Sequence, residues 1–229
     1  MRLPVGASRE FAEMVRRRVK REPVAYILGR KGFRRIELIV DRRVLIPRPE
    51  TELLVDLAVE LGATSPLDVG TGSGAIALAV ADELPEARVT AIDTSLDAVR
   101  VAQTNTERLG LTERVDVINR GVASLANPGG CDLLLANLPY VSEAEWEGLA
   151  PEIRDHEPRE ALVPGQTGLE AIEALLRSVA ELETRPAAVA LEIGTSQADA
   201  VGEMVRDAGY AEVETRRDLA GHDRVVVGR

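Results

Sequence analysis

The sequence has 229 residues, 45% hydrophobic and 29% charged, which suits one sizeable α/β domain or a core domain with a small appendage and excludes disorder, collagen-like repeats and coiled coil. Its 28 Lys and Arg face 38 Asp and Glu, a formal net charge of −10, so no global positive field draws it to nucleic acid, and 3% aromatic content is too little for a base-stacking platform. Apolar stretches such as 75–81 and 133–136 fall far short of the roughly 20 residues a bilayer span needs, no apolar leader follows the N-terminus, and the single Cys131 allows no internal disulfide, a pattern that suits the cytoplasm and no membrane.

In chain order, Ser8 reads as the N-cap of a short helix whose Phe11, Met14, Val15 and Val19 recur at helical spacing, with Pro23 stopping it. Residues 32–46 read as a β-hairpin, with Phe33, Ile36, Leu38 and Val40 leading to a turn near Asp41-Arg42. Pro47-Arg48-Pro49 is a stiff connector, because each proline fixes φ and biases the residue before it to extended geometry. A helix over 50–61 carries Leu53, Leu54, Leu57, Ala58 and Leu61 on one stripe. From there strands at 66–69, 88–93, 114–119, 131–136 and 187–193 alternate with helices at 75–84, 95–109 (capped by Ser95), 169–182 and 196–208. Residues 212–216 and 224–227 read as a terminal antiparallel pair. Continuous apolar strands alternating with helices imply a mostly parallel sheet covered on both faces. In such a sheet ligands lie at the C-terminal strand ends, near the switch in strand order. The expected division is an N-terminal helix and hairpin over 1–49, then one domain over 50–229.

Charge is uneven. Arg16, Arg17, Arg18, Lys20 and Arg21 form a basic run, continued by Arg30, Lys31, Arg34, Arg35, Arg42, Arg43 and Arg48, while the remainder is strongly acidic. Such an edge either touches RNA, a ribonucleoprotein or an acidic protein, or is simply a solvated helix face and hairpin rim.

Leu67-Asp68-Val69-Gly70-Thr71-Gly72-Ser73-Gly74-Ala75 ends one strand and opens a helix. Glycine is required where φ is positive or where a ligand lies against the main chain. Asp93 closes the next strand, 23 residues after Gly70, where a carboxylate can accept both hydroxyls of a ribose. Read as Gly70-x-Gly72-x-x-Ala75 the loop matches a dinucleotide fingerprint; read as Asp-x-Gly-x-Gly-x-Gly it matches an S-adenosylmethionine loop. The loop alone does not separate the two.

The discriminator is Asn137-Leu138-Pro139-Tyr140, delivered to the sheet edge by the buried strand 131–136. It resembles the Asn/Asp-x-Pro-Tyr/Phe motif of the amino-methyltransferases. An amide nitrogen has its lone pair delocalised and is a poor nucleophile. The Asn137 oxygen and the Leu138 carbonyl can each accept one N–H of an –NH2 group, drawing density onto nitrogen and aiming it at a sulfonium methyl. Pro139 fixes the turn, and Tyr140 can wall the pocket and face the cationic centre.

Upstream, Arg21-Glu22-Pro23-Val24-Ala25-Tyr26-Ile27-Leu28-Gly29 and Leu45-Ile46-Pro47-Arg48-Pro49-Glu50-Thr51-Glu52 sharpen this likeness. Downstream, Glu157-Pro158, Leu191-Glu192-Ile193-Gly194 and the ending Asp223-Arg224-Val225…Gly228-Arg229 extend it. Together they resemble the protein N5-glutamine methyltransferases of the HemK/PrmC family, which act on the Gly-Gly-Gln loop of peptide-chain release factors. The resemblance implies a Rossmann-like class I S-adenosylmethionine-dependent methyltransferase with a seven-stranded sheet. It implies cofactor contacts from Asp68, Gly70, Thr71, Gly72, Ser73, Gly74, Asp93, Val122 and Asn137. It also implies substrate contacts from Asn137, Leu138, Pro139, Tyr140 and Arg48, and a release factor as partner.

Three departures stand out. Leu138 replaces the family's first proline, keeping the carbonyl but loosening the turn. Gly121-Val122 stands where an acidic residue precedes an aromatic or apolar one near adenine. The N-terminal helical domain is cut to about twenty residues. Alternatives are therefore another amide or amine substrate, small molecule or nucleic-acid base, for a HemK-like enzyme, and a noncatalytic cofactor-binding paralogue. An NAD-dependent oxidoreductase would not require Asn137–Tyr140. His156 and His222 lack metal-ligand spacing. No Gly-x-Ser-x-Gly elbow is present and Cys131 lies in a strand, which argues against covalent catalysis. Trp146 reads as a packing residue, and Glu192, near a strand end, either supports the site or is purely structural.

Overall fold

The structure, a computed structural model, describes residues 5–122, 125 and 130–229. Helices α1 (Val5–Val19) and α2 (Val24–Leu28) precede a hairpin of β1 (Arg30–Phe33) and β2 (Ile36–Ile39). A 3-10 turn, Pro49–Thr51, opens α3 (Glu52–Leu61). Then follow β3 (Leu67–Val69), α4 (Ala75–Glu83), β4 (Val89–Asp93), α5 (Leu96–Arg108), β5 (Val115–Asn119) and β6 (Leu133–Ala136). Short helices α6 (Glu143–Trp146) and α7 (Pro151–Arg154) and a 3-10 turn, Arg159–Ala161, lead to α8 (Glu170–Ala180), β7 (Ala188–Glu192), α9 (Ala198–Asp207), β8 (Val213–Arg217) and β9 (Asp223–Gly228).

One seven-stranded sheet runs in the order β5-β4-β3-β6-β7-β9-β8, parallel from β5 to β7, with β9 antiparallel to both neighbours. All four β6 side chains are buried, but on alternate faces. Leu133 and Leu135 join α3, α4 and the hairpin in one core, whereas Leu134 and Ala136 join α8 and α9 in the other. This two-sided burial is why the parallel strands read as unbroken apolar runs. Strand order reverses at β3, which pairs with β4 on one side and β6 on the other. Val69, Ile92 and Ala136 lie level in register, so the chain segments after β3, β4 and β6 leave the sheet edge side by side.

Three local expectations are corrected. Helix α1 begins ahead of Ser8, which lies inside it rather than at its cap, and Pro23 caps α2 as well as ending the preceding segment. The hairpin turns at Arg34-Arg35, not at Asp41-Arg42. Arg34 holds that turn in the left-handed region (φ 50°), with its guanidinium on Glu83 (2.8 and 2.9 Å) and Asp56 (2.7 Å) and its N–H on Glu52 (3.1 Å). The end of β2 is tied to α5, because the Asn105 side chain accepts from Ile39 N–H (2.7 Å) and donates to its carbonyl (3.0 Å). In α3 the buried stripe is Leu54, Val55, Leu57 and Ala58, with Leu61 exposed, because the helix lies between α4 and strands β6 and β7. The segment after Tyr140 also folds: Ser142 and Glu145 form a reciprocal capping box that starts α6.

Much of the basic run is paired within the chain. Arg17 grips Glu22 (2.8 and 2.7 Å), while Arg18 and Arg21 converge on Glu152 (3.0 and 2.9 Å), pinning α1 to α7.

Candidate active site

The glycine loop is shaped from beneath by Asp68. This side chain is fully buried; one oxygen accepts from Thr71 Oγ1 (2.6 Å) and Ala77 N–H (3.2 Å), tying the loop to the first turn of α4. Its other oxygen has no partner, and burial pushes the carboxyl up to about 7. Gly70 and Gly74 have φ of +76° and +85°, a region that costs other residues about 1–2 kcal/mol. A Cβ on Gly74 would also sit 2.8 Å from Leu78 Cδ1, so that glycine serves helix packing. Asp93 faces the loop from the end of β4. One of its oxygens accepts from Gly72 N–H (2.9 Å) and the other from Ser95 N–H (2.8 Å). Burial raises its pKa, and these backbone donors oppose the rise.

Across the cleft, the Asn137 NH2 donates to Thr51 Oγ1 (3.0 Å). Thr51 is buried. Tyr140 OH donates to Glu192 (3.3 Å). Glu192 is itself buried, one of its oxygens is unpartnered, and desolvation pushes its carboxyl up to about 7. This arrangement commits the Asn137 NH2 to the protein and leaves its carbonyl oxygen as an acceptor. The Leu138 side chain is buried and packs on the loop, since a Cβ on Gly70 would lie 2.9 Å from Leu138 Cδ2.

Of the expected site residues, Gly70, Thr71, Gly72, Ser73, Asp93, Val122, Asn137, Leu138 and Pro139 line one cleft at the strand switch. Asp68, Gly74, Tyr140 and Arg48 do not line it. Asp68 and Gly74 shape the loop from below, for the reasons given. Tyr140 turns to a second cleft with Gly194 and Gln197, where Gln197 Nε2 donates to the Tyr140 carbonyl (3.0 Å). Arg48 bonds Glu157 (2.5 Å), which also accepts from Ile46 N–H (3.0 Å). That pair braces the 45–49 connector against a segment whose Pro158 and Ala161 wall the cleft. Sequence reasoning gave no role to Thr51, Pro158 or Glu157, although all three fall within the quoted motif blocks.

Trp146 is half-buried away from this cleft, with the Arg159 guanidinium 5.4 Å from its ring centroid. The Cys131 thiol is buried, and desolvation pushes its pKa up to about 12, leaving it un-ionised and unreactive at neutral pH.

A methyltransferase small domain family model matches residues 49–162, and a PrmC N-terminal domain model matches residues 1–29. The release factor glutamine methyltransferase of Caulobacter vibrioides is 42% identical over 220 residues, covering 94% of this chain and 76% of that protein. Its counterparts from Nitratidesulfovibrio vulgaris (40% identical; 96% of this chain, 76% of that protein) and Gloeobacter violaceus (42%; 95% and 78%) are similar. Among solved structures, the hMettl16 catalytic domain bound to MAT2A 3′UTR hairpin 6 superposes with a TM-score of 0.68 at 16% identity, over 83% of this chain and 75% of that one. A human methyltransferase 10 domain containing protein gives a TM-score of 0.61 at 17% identity, over 83% and 89% of the two chains. At such identities these two likenesses speak for the class I methyltransferase fold alone.

Proposed function

Because this chain belongs to the release factor glutamine methyltransferase family, we propose that Asn137 and the Leu138 carbonyl receive the side-chain amide of a release-factor glutamine in the cleft. The reaction is methyl transfer from S-adenosylmethionine to N5 of that glutamine. The observation that carries the assignment is the orientation of Asn137, whose NH2 is held by Thr51 so that its oxygen is the end offered to an incoming N–H. Two acceptors on one –NH2 group localise the nitrogen lone pair and fix its direction, a contact that strengthens as the transition state forms. Pro139 stiffens the turn that presents them. Tyr140 lies behind the turn with its OH donating to Glu192, instead of walling the pocket.

Bound S-adenosylmethionine supplies an electrophilic sulfonium methyl. The cleft fits that group. Gly72 has no atom within 4 Å of where a Cβ would be, so a ligand can lie against the main chain there. Each Asp93 oxygen spends one lone pair on a backbone N–H and keeps another for a ribose hydroxyl. Where the family carries an acidic residue, the Thr94 methyl lies 3.1 Å from the Cβ position of Gly121, and Thr94 and Val122 give the cleft an aliphatic wall for adenine.

Asp93→Ala removes charge-assisted hydrogen bonds worth about 1.5–3 kcal/mol each and releases Gly72 and Ser95 as well. Calorimetry is expected to show S-adenosylhomocysteine binding at least tenfold more weakly. A dissociation constant within twofold of wild type would remove Asp93 from the cofactor site.

Residues 1–49 then serve to hold the protein substrate and 50–229 to carry out methyl transfer, although the hairpin shares its core with α3 and α4. The cytoplasm, where release factors work, is the compartment this reading requires; among the described residues no helix is long and apolar enough to cross a membrane. The basic edge, largely satisfied by Glu22 and Glu152, reads as internal bracing and not as a nucleic-acid surface. Mass spectrometry of release factors incubated with the protein and methyl-labelled cofactor should find one labelled methyl on the glutamine of the Gly-Gly-Gln loop. Turnover of the cofactor with that glutamine unlabelled would point to a different amide or amine.

A further inference from the structure

We propose that Asn105 is a positioning residue for the cofactor: it fixes the Ser73–Gly74 peptide of the glycine loop and fastens it to the end of β2, from which another wall of the cleft continues. The inference rests on the reading that this loop and Asp93 hold S-adenosylmethionine.

Asparagine is a poor residue for a helix interior, because its amide competes for backbone groups. Asn105 nonetheless lies within α5, fully buried. Its amide is spent on partners outside that helix. Oδ1 accepts from Ile39 N–H (2.7 Å), while Nδ2 donates to the Ile39 carbonyl (3.0 Å) and to the Ser73 carbonyl (2.9 Å). Ile39 offers a donor and an acceptor together, which fixes the orientation of the amide and leaves the second Nδ2 proton for Ser73.

The loop needs such a partner. Gly72 and Gly74 flank Ser73 with φ of +57° and +85° and have no side chain to restrict them, so the peptide between Ser73 and Gly74 is intrinsically free to rotate. A peptide is a rigid plane, and holding both its polar ends fixes its direction. Here the Gly74 N–H donates to the Thr71 carbonyl (2.8 Å) and Asn105 takes the Ser73 carbonyl. Rotation of that plane would displace Ser73 and Ala75, both of which line the cleft. Asp68 and Asp93 secure the loop elsewhere, through Thr71 Oγ1 and Gly72 N–H.

The same amide anchors the hairpin. From Ile39 the chain runs on to Arg43, Val44, Leu45 and Pro47, which line the cleft together with the glycine loop. Asn105 is 32 residues from Ser73 and 66 from Ile39 in sequence, so it joins two walls of one cleft from outside it. Without that joint the ligand itself has to order the loop, and apparent affinity falls with the fraction of chains already in the binding geometry.

The test uses the full chain and compares wild type, Asn105→Asp and Asp93→Ala. Asn105→Asp keeps the shape and the acceptor for Ile39 N–H, but its carboxylate has no proton for either carbonyl. Its S-adenosylhomocysteine dissociation constant, read by calorimetry, is expected to rise about tenfold or more, the loss of a buried hydrogen bond expressed in affinity. KM for S-adenosylmethionine should rise in parallel. Because Asn105 touches no reacting group, kcat at saturating cofactor and KM for a release factor should stay within about threefold of wild type. A lowered Tm with an unchanged dissociation constant and KM would reduce Asn105 to a structural role and overturn the inference. Hydrogen exchange in the wild-type chain gives a reading that needs no substitution. S-adenosylhomocysteine is expected to slow exchange of the Ile39 amide along with that of Gly74, although Ile39 does not line the cleft. Slowing at Gly74 with none at Ile39 would overturn the joint between the two walls. Weak binding in Asp93→Ala beside normal binding in Asn105→Asp defeats the role of Asn105 alone, whereas normal binding in Asp93→Ala defeats the reading of the cofactor site beneath it.

Discussion

Replacing Asn137 with alanine is expected to lower kcat by roughly 10²–10³-fold, the usual loss for one preorganised polar contact to a developing charge, while S-adenosylhomocysteine affinity stays nearly unchanged. The side chain meets the cleft at the end of β6, and its NH2 is spent on Thr51, so its contribution to the reaction is its oxygen. That oxygen matters most as the substrate nitrogen localises its lone pair, which places the loss in kcat rather than in ground-state binding. Single-turnover methyl incorporation, paired with calorimetry on the cofactor product, separates the two. Asn137→Asp retains an acceptor and should keep partial activity, but it has no N–H for Thr51 and adds a second negative charge near Glu192. Leu138→Pro, which keeps the backbone carbonyl and stiffens the turn, should be tolerated. Wild-type turnover in Asn137→Ala would make this residue a simple turn former.

Glu157→Ala should produce the largest loss of stability. The carboxylate is almost fully enclosed, bonds Arg48 at 2.5 Å and takes the Ile46 N–H at 3.0 Å. Removing one member of a buried pair leaves the other charge uncompensated, at a cost of about 3–5 kcal/mol. Arg48 keeps partial access to solvent, which places the expected value near the lower figure. For a chain of this size that corresponds to a fall in Tm of about 6–12 °C, read by thermal unfolding. Glu157→Gln preserves an acceptor for one of the two donors and should lose less. A Tm shift of about 1 °C or less in Glu157→Ala would mean that the 45–49 connector is held by its prolines and packing instead.

Regular elements and the two loops that define the cleft are legible because their signals are local. Apolar runs at strand length, helical spacing in 95–109 with Ser95 accepting from Ala98 N–H, and glycine at the positive-φ corners 70, 72 and 74 all act within a few residues. The Asn137–Tyr140 motif is legible for the same reason, since the chemistry of methylating an amide requires an oxygen acceptor beside a fixed turn. The hairpin turn is not, because Arg34 and Arg35 carry no turn signature. Their position is selected by carboxylates on α3 and α4 that the chain brings alongside only after folding.

The supporting side of the site lies at the same limit. Asn137 and Thr51 are 86 residues apart, and Arg48 and Glu157 are 109 apart. Nothing in the spacing of either pair announces a contact. Glu192 likewise has two readings until β7 is seated beside β6 and its carboxylate is closed in with Tyr140. Backbone geometry and the reacting groups are therefore written in short stretches of residues. The direction of Asn137, the bracing of Arg48 and the withdrawal of Tyr140 from the cleft follow from desolvation and hydrogen-bond polarity, which exist only once distant segments exclude water from one another.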